Sequence, residues 1–347
     1  MATEVTKIVD PGEGAGHDYH SLSLWEAGEQ GDLTGVRDEI AIAKCRATDG
    51  IADTTTCTID GWVTGVSNYI TIEAETSHGG KWNDNIYRIQ GSIDGVNLVE
   101  SNVFIKGIQI YQSNPSGTYY GIWFDTALSN INIIKCIIRG NTVGGNYGIM
   151  LGSSSDNSSN IRIYNCLIYD QKTCGILVDY SSNSTVFIYN NTLVGPGIGT
   201  STGIIRNSGV VVAVNNIITG WTTAAYGTFT SPTNYNSTDL ASMGYTGGGA
   251  NDRLSQTFTF VYPANGDFHL ASNDAGARDY GVSDPGSGLF SDDIDGVARG
   301  ATWDIGADEY VAAGGTNYPR SLAGALAYGG GTVTRKGILK RNQAGAI

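Results

Sequence analysis

The chain has 347 residues, 49 of them glycine, with only 15% charged residues and a formal net charge of −13. That length suits one large solenoid or two domains. The acidic balance repels phosphate backbones, which excludes nucleic acid as an expected partner, and no 18-residue apolar run is present to span a membrane.

Residues 1–60 read as an N-terminal cap with the first strands. The opening MATEVTKIVD lacks an apolar h-region, so no secretory signal is expected. Val5 to Asp10 reads as a short strand, followed by the Gly-rich loop PGEGAGHDYHS. Ser21 then caps a short helix, SLSLWEAGEQGDL, with Leu22, Leu24 and Trp25 on one side. Such a helix would plug the first coil of a stacked fold, as terminal repeats must. Ile40 to Cys45 and Tyr69 to Ala74 read as the first coil strands, with TTTCTIDGW between them as a turn or side strand.

Residues 61–310 read as the solenoid and its closure. Five segments align: VFIKGIQI at 103–110, INIIKCII at 131–138, IRIYNCLI at 161–168, VFIYNNTL at 186–193 and VVAVNNII at 211–218. Taking Gly107, Cys136, Cys166, Asn191 and Asn216 as equivalent gives steps of 29, 30, 25 and 25 residues. Gly121-Ile122, Gly148-Ile149, Gly175-Ile176 and Gly203-Ile204 mark a second apolar run in each unit. Self-similarity at this period means stacked supersecondary units. Each unit is a series of short β-branched strands separated by Gly, Asn and Ser, without helical periodicity. Ile161 and Ile163 would point inward and Arg162 and Tyr164 outward, and Val186 and Ile188 repeat the inward pattern.

One coil cannot bury its apolar face alone, whereas coils stacked at about 4.8 Å share a continuous core. Asn165, Asn190 and Asn215 fall at one position of successive coils, beside Asn191 and Asn216, where amides can bond along a stack. The reading is all-β: a right-handed, single-stranded parallel β-helix with a capping helix and a strand-like C-terminal extension. A β-propeller would need longer repeats of four antiparallel strands. Of the five cysteines, Cys136 and Cys166 share a ladder position as small interior side chains. Cys45 and Cys57 either pair or stay reduced, and no zinc spacing is present.

The pattern loosens from Thr222 to Asn251, which reads as an excursion. Order returns with Phe258 to Val261 and GDFHL at 266–270, and FSDDIDGVARGATWDIGADEY at 290–310 then forms an acidic closure. This closure resembles the C-terminal end of the pectate-lyase-like right-handed β-helix proteins. It is similar in particular to phage-encoded and bacterial surface members ending in a DIDGxxR…DIGAxE block, through Asp293, Asp295, Gly296, Arg299, Asp304, Gly306, Ala307 and Glu309. The resemblance implies the fold; the activities hosted on it range from lyases, hydrolases and esterases to non-catalytic spikes.

Four constellations carry candidate chemistry. Asp125 and Asp179 each follow a marker glycine by four residues and stand two coils apart, about 9.6 Å of backbone rise. Inverting glycosidases hold their carboxyls roughly 6.5–9.5 Å apart, so the geometry permits an acid and a base; the simpler reading is that both residues end strands on a solvated turn. The surface cations Lys106, Lys135, Arg139 and Arg162 sit in no lyase or esterase motif. Asp292, Asp293, Asp295, Asp304 and Asp308 crowd oxygen donors into the closure at a density that suits calcium, with Asp293, Asp295 and Asp304 the candidate ligands; the expectation is no cofactor, with calcium the alternative. In the competing arrangement Arg299 pairs with Asp295 or Asp304 and locks the final turn. Tyr164 and Tyr189, outward on consecutive coils, would contact a glycan or another subunit.

The segment 311–347 differs from the rest. Asp and Glu vanish after Val311, while Arg320, Arg335, Lys336, Lys340 and Arg341 appear beside Leu322 and Leu326. This basic, Gly-rich tail is expected to attach to a second copy or to another virion protein rather than to add a coil. The expected function is a non-catalytic phage virion protein, of tailspike, head-fibre or capsid-decorating type. It would be homo-oligomeric or held by other virion proteins and in contact with a surface polysaccharide. The alternative is a polysaccharide-degrading hydrolase or lyase on the same fold.

Overall fold

The computed structural model describes residues 2–12, 15–152, 158–179 and 184–312. The assembly tail, with Arg320, Leu322, Leu326, Arg335, Lys336, Lys340 and Arg341, lies outside the described residues.

Three parallel sheets run the length of the molecule. In the first, Val103–Lys106, Ser129–Ile134, Ser159–Tyr164, Thr185–Tyr189 and Val210–Val214 follow Thr3–Val9, Glu39–Cys45 and Ile70–Ala74. The second contains Gln109–Gln112, Ile137–Arg139, Leu167–Tyr169, Thr192–Val194 and Ile217–Thr219; the third contains Tyr120–Phe124, Tyr147–Leu151, Cys174–Val178 and Thr202–Arg206. Each coil visits first, second and third sheet in turn, so the parallel β-helix expected from the repeats is the fold. Its core is a set of aliphatic stacks. Ile105, Ile133, Ile163 and Ile188 are one such row, all fully buried in consecutive register.

One detail of the repeat alignment needs correction. Val103 pairs with Ile131, a step of 28, so Ile108 rather than Gly107 stands on the rung of Cys136. Gly107 belongs with Lys135, Asn165, Asn190 and Asn215, and all five are left-handed, with φ of 65°, 53°, 54°, 48° and 59°. Glycine and asparagine tolerate that region most readily, which accounts for four of the five; Lys135 is the exception on this rung.

The neighbouring rung turns inward. The side chains of Asn191, Asn216 and Asn236 stack inside the coil, with Asn191 Nδ2 donating to Asn216 Oδ1 at 3.0 Å and Asn216 Nδ2 to Asn236 Oδ1 at 2.9 Å. Each amide also donates to a backbone carbonyl, Asn191 to Ile163 and Asn216 to Ile188, both at 2.9 Å. Buried amides are tolerated because these bonds satisfy them. The ladder reaches one coil further than the sequence alignment did. Ser237–Thr238 and Tyr245–Thr246 continue the second and third sheets, so 222–251 is more coil than excursion. All five cysteines are free and buried, Cys45 and Cys57 included.

At the N-terminal end Ser21 caps the helix Leu22–Glu29 by accepting from Leu24 N at 3.1 Å. Trp25 stacks on Trp62 at 5.4 Å. Leu24 is 54% exposed, contrary to its expected place beside Leu22 and Trp25. Cys57–Ile59, the expected turn or side strand, opens the third sheet.

Candidate functional site

The C-terminal closure is a strap along the side of the solenoid, not a lid on its last coil. It runs back over the left-handed rung. Asn165 Nδ2 donates to Asp292 O at 2.8 Å, Asn190 Nδ2 to Asp304 O at 3.2 Å, and Asn215 Nδ2 to Val282 O at 2.8 Å. Lys135 meets Asp292 at 2.6 Å. Arg299, its side chain fully buried, pins the strap: it donates to Asn165 Oδ1 at 2.9 Å, to the Gly306 and Ala307 carbonyls at 3.0 and 3.1 Å, and pairs with Glu309 at 3.3 Å. The expected partners Asp295 and Asp304 are replaced by Glu309, Asp304 contributing only its carbonyl.

This strap changes the expectation for the tyrosines. Tyr164 and Tyr189 do stand outward from the first sheet, but Phe290 and Trp303 cover them. They are 6% and 7% exposed, with Tyr164 stacked on Phe290 at 4.8 Å. They anchor the strap and leave no ring for a glycan.

Of the calcium candidates, Asp293 and Asp304 join no ligand group, whereas Asp295 and Asp308 come together. Asp293 Oδ1 accepts from Asp295 N and Val297 N, and its Oδ2 from Glu309 N. Asp304 accepts from Asp279 N at 2.7 Å and Tyr310 N at 2.6 Å. Both therefore cap loop amides. Burial pushes each carboxyl up to about 7, helped by Asp308 and Asp295 at Asp293 and by Glu309 at Asp304. Among the described residues the group that comes together is His269, Asp295 and Asp308, with one ligand atom of each within 4.8 Å of the others. His269 Nδ1 meets Asp267 Oδ1 at 2.5 Å and Nε2 meets both Asp295 oxygens at 3.0 and 3.1 Å. Burial opposes its charge, but these carboxylates and Asp308 raise it to about 11.

Asp125 and Asp179 end Tyr120–Phe124 and Cys174–Val178, on one ladder with Gly152 between them. Asp179 Oδ1 accepts from Asn207 Nδ2 at 2.9 Å. The structure leaves the pair on the turn after the third sheet.

The recess with the right character for a ligand lies elsewhere, on the outer face of the second sheet. Tyr111, Arg139, Tyr169, Val194 and Thr219 form one outward row. The Arg139 guanidinium lies 4.6 Å from the Tyr111 ring and 5.8 Å from Trp82 and from Tyr169. Tyr169 continues into Phe268 at 5.1 Å, Phe268 into Phe260 at 5.4 Å. Beyond them Val194, Thr219, Asp239, Phe258, Phe260 and Phe268 border an open cavity of ≈ 340 Å³. An apolar floor with a few polar groups is the usual make-up of a small-ligand site. Asp170 and Asp239 flank the row three coils apart, or roughly 14 Å of rise, too far for a hydrolytic carboxyl pair. The half-buried hairpin Phe260–Tyr262 and Asp267–Leu270 forms the far wall.

This row does not stand out in the sequence, for a traceable reason. Each member lies three residues after the rung of Ile108, Cys136, Cys166, Asn191 and Asn216. With Gly107 in place of Ile108 the register slips and Tyr111 falls out of line with Arg139 and Tyr169.

A family model described as "Right handed beta helix region" matches residues 44–231, more than half of the chain. The chain belongs to this family. Among solved structures, the right-handed β-helix chain resembles one described as "Crystal structure of pectate lyase Pel9A". The match has 13% sequence identity and a TM-score of 0.40, and covers 90% of this chain and 97% of the other. No curated protein matches the chain.

Proposed function

We propose that this right-handed β-helix is a non-catalytic structural protein of a phage virion, of head-fibre, capsid-decorating or tailspike type, whose second-sheet groove receives a surface polysaccharide. The observation that carries the binding part is the ≈ 340 Å³ recess in which Phe258 and Phe260 are partly exposed, with the partly exposed Tyr111 and Arg139 further along the same sheet face; Tyr169 and Phe268 are buried and back the groove rather than offer a ring. Aromatic faces beside isolated polar groups suit a pyranose, which has one apolar face and a polar rim. Binding without cleavage is supported by the roughly 14 Å rise between Asp170 and Asp239 and by the packing of Arg139 among three rings, which leaves it ill placed as a base. The contrast between the acidic body and the basic tail supports attachment through residues 311–347, to a second copy or another virion protein.

A glycoside hydrolase is the second reading, favoured by the shared ladder of Asp125 and Asp179. Affinity electrophoresis against a panel of bacterial surface polysaccharides separates the two. The binding reading expects retardation that Phe258→Ala with Phe260→Ala removes, with no new reducing ends. Reducing ends that vanish in Asp179→Asn would establish the hydrolase instead. A chain ending at Val311 is expected to stay folded and fail to assemble; normal assembly would refute attachment by the tail.

A further inference from the structure

The cluster around His269 has no part in the groove and is built like a metal site. Its members come from different segments: His269 from the hairpin strand Asp267–Leu270, and Asp295 and Asp308 from the strap. All three side chains are nearly inaccessible to solvent, His269 at 9% and Asp295 at 7%, with Asp308 3% exposed as a residue. Each ring nitrogen of His269 has a separate task. Nδ1 is held by Asp267, which Lys81 approaches at 3.6 Å, and Nε2 points at Asp295. A carboxylate on one imidazole nitrogen fixes the ring and raises the basicity of the other, the arrangement usual behind metal-bound histidines.

Two further observations point to a small occupant. A cavity of ≈ 10 Å³ adjoins His269, Asp308 and Gly80, about the room one water or one ion needs. Gly80 forms its wall at φ 67°, and a Cβ there would overlap both Asp295 Oδ1 and His269 Nε2. The loop approaches so closely that only glycine leaves the space open.

We propose that His269 Nε2 and the carboxylates of Asp295 and Asp308 bind one divalent transition-metal ion, which ties the C-terminal strap to the hairpin that walls the groove. One imidazole and two carboxylates form a borderline donor set suited to zinc, cobalt or manganese. Calcium, which takes six to eight oxygens, is poorly served by it. Asp267 is the positioning residue, and His78, buried nearby, is no ligand: its Nδ1 accepts from Gly80 N and its Nε2 donates to Lys135 O at 2.7 Å.

The test uses the full chain, stripped with a chelator and desalted. Titration with Co²⁺, followed by its visible absorption, and with Zn²⁺ by calorimetry should give one saturable site. His269→Gln and Asp308→Asn should each abolish it, and Asp267→Asn should weaken it on the order of 10- to 100-fold. Circular dichroism of each metal-free variant reports whether it is folded; Asp308→Asn serves if His269→Gln is not. The exposed His17 and His20, with Nε2 atoms 3.2 Å apart, are replaced together as a control and should leave the site intact. Absence of a saturable site, binding that persists in both ligand variants or is lost in the His17/His20 control, or calcium bound more tightly than zinc would each overturn the proposal.

Discussion

Replacing Arg299 by Met tests how the strap is held. The guanidinium is fully enclosed and serves Asn165 Oδ1, the Gly306 and Ala307 carbonyls and Glu309 together. Methionine keeps most of the volume and removes every donor. Glu309 would then be a buried carboxylate without its cation, although it still accepts from Gly300 N at 2.9 Å and Asp304 N at 2.8 Å. Breaking a buried pair from one side costs about 3–5 kcal/mol, and the stranded carbonyls overlap with that figure rather than add to it. The loss should be local, because the coils keep their own ladders. Hydrogen exchange should therefore accelerate across 281–310 while the first-sheet strands Ser159–Tyr164 and Thr185–Tyr189 stay protected, and the fluorescence of Trp303 should become accessible to quencher. Arg299→Lys should recover only part, since an ammonium cannot reach carbonyls and amide with a planar fork. A change below about 1 kcal/mol with unaltered exchange would show that the rung of asparagines holds the strap without Arg299.

Gly148→Ala should destabilise the chain by a few kcal/mol (~1–3, as for overpacking), read from urea unfolding, because its Cβ would lie 2.5 Å from Gly175 O and 2.6 Å from Ile168 Cγ2. Asn216→Leu removes the acceptor of Asn191 N and Nδ2, both at 3.0 Å, and should cost about 2–4 kcal/mol; a neutral result would mean the inner ladder is wet. The carboxyl of Asp304, raised to about 7, is protonated in the folded chain over a range where the unfolded chain has lost the proton. Its contribution is therefore complete below about pH 4 and falls as pH rises to about 7, by up to about 1.4 kcal/mol per unit. Denaturation midpoints from pH 4 to 8 should show that decline, and Asp304→Asn should reduce it, leaving the share of Asp293, whose carboxyl is also raised to about 7.

The solenoid was legible because its physics is repetitive. Rows such as Ile105–Ile133–Ile163–Ile188 and the glycines Gly121, Gly148, Gly175 and Gly203 answer the same local demand once per coil, and repetition reveals the demand. The slip at Gly107 shows the limit. Glycine and asparagine both fill a left-handed turn, and the segment VFIKGIQI offers glycine on one rung where its neighbours offer cysteine on the next. That one residue put Tyr111 out of line with Arg139 and Tyr169. The strap was illegible for another reason. Nothing local in DIDGVAR and DIGADEY says that they lie along the coils, so Tyr164 and Tyr189 looked exposed when Phe290 and Trp303 cover them. For the same reason Asp293 and Asp304 looked like ligands, whereas they hold backbone amides, and His269 passed as an ordinary strand residue of GDFHL.

The central functional claim is binding in the second-sheet groove without cleavage. It is tested most directly by incubating the full chain with a polysaccharide it retains, eluting the polysaccharide, and measuring its chain-length distribution against an untreated sample. The account predicts saturable retention, dependent on Phe258 and Phe260, with the distribution unchanged after prolonged incubation. A shortened distribution, or retention indifferent to both phenylalanines, would contradict it.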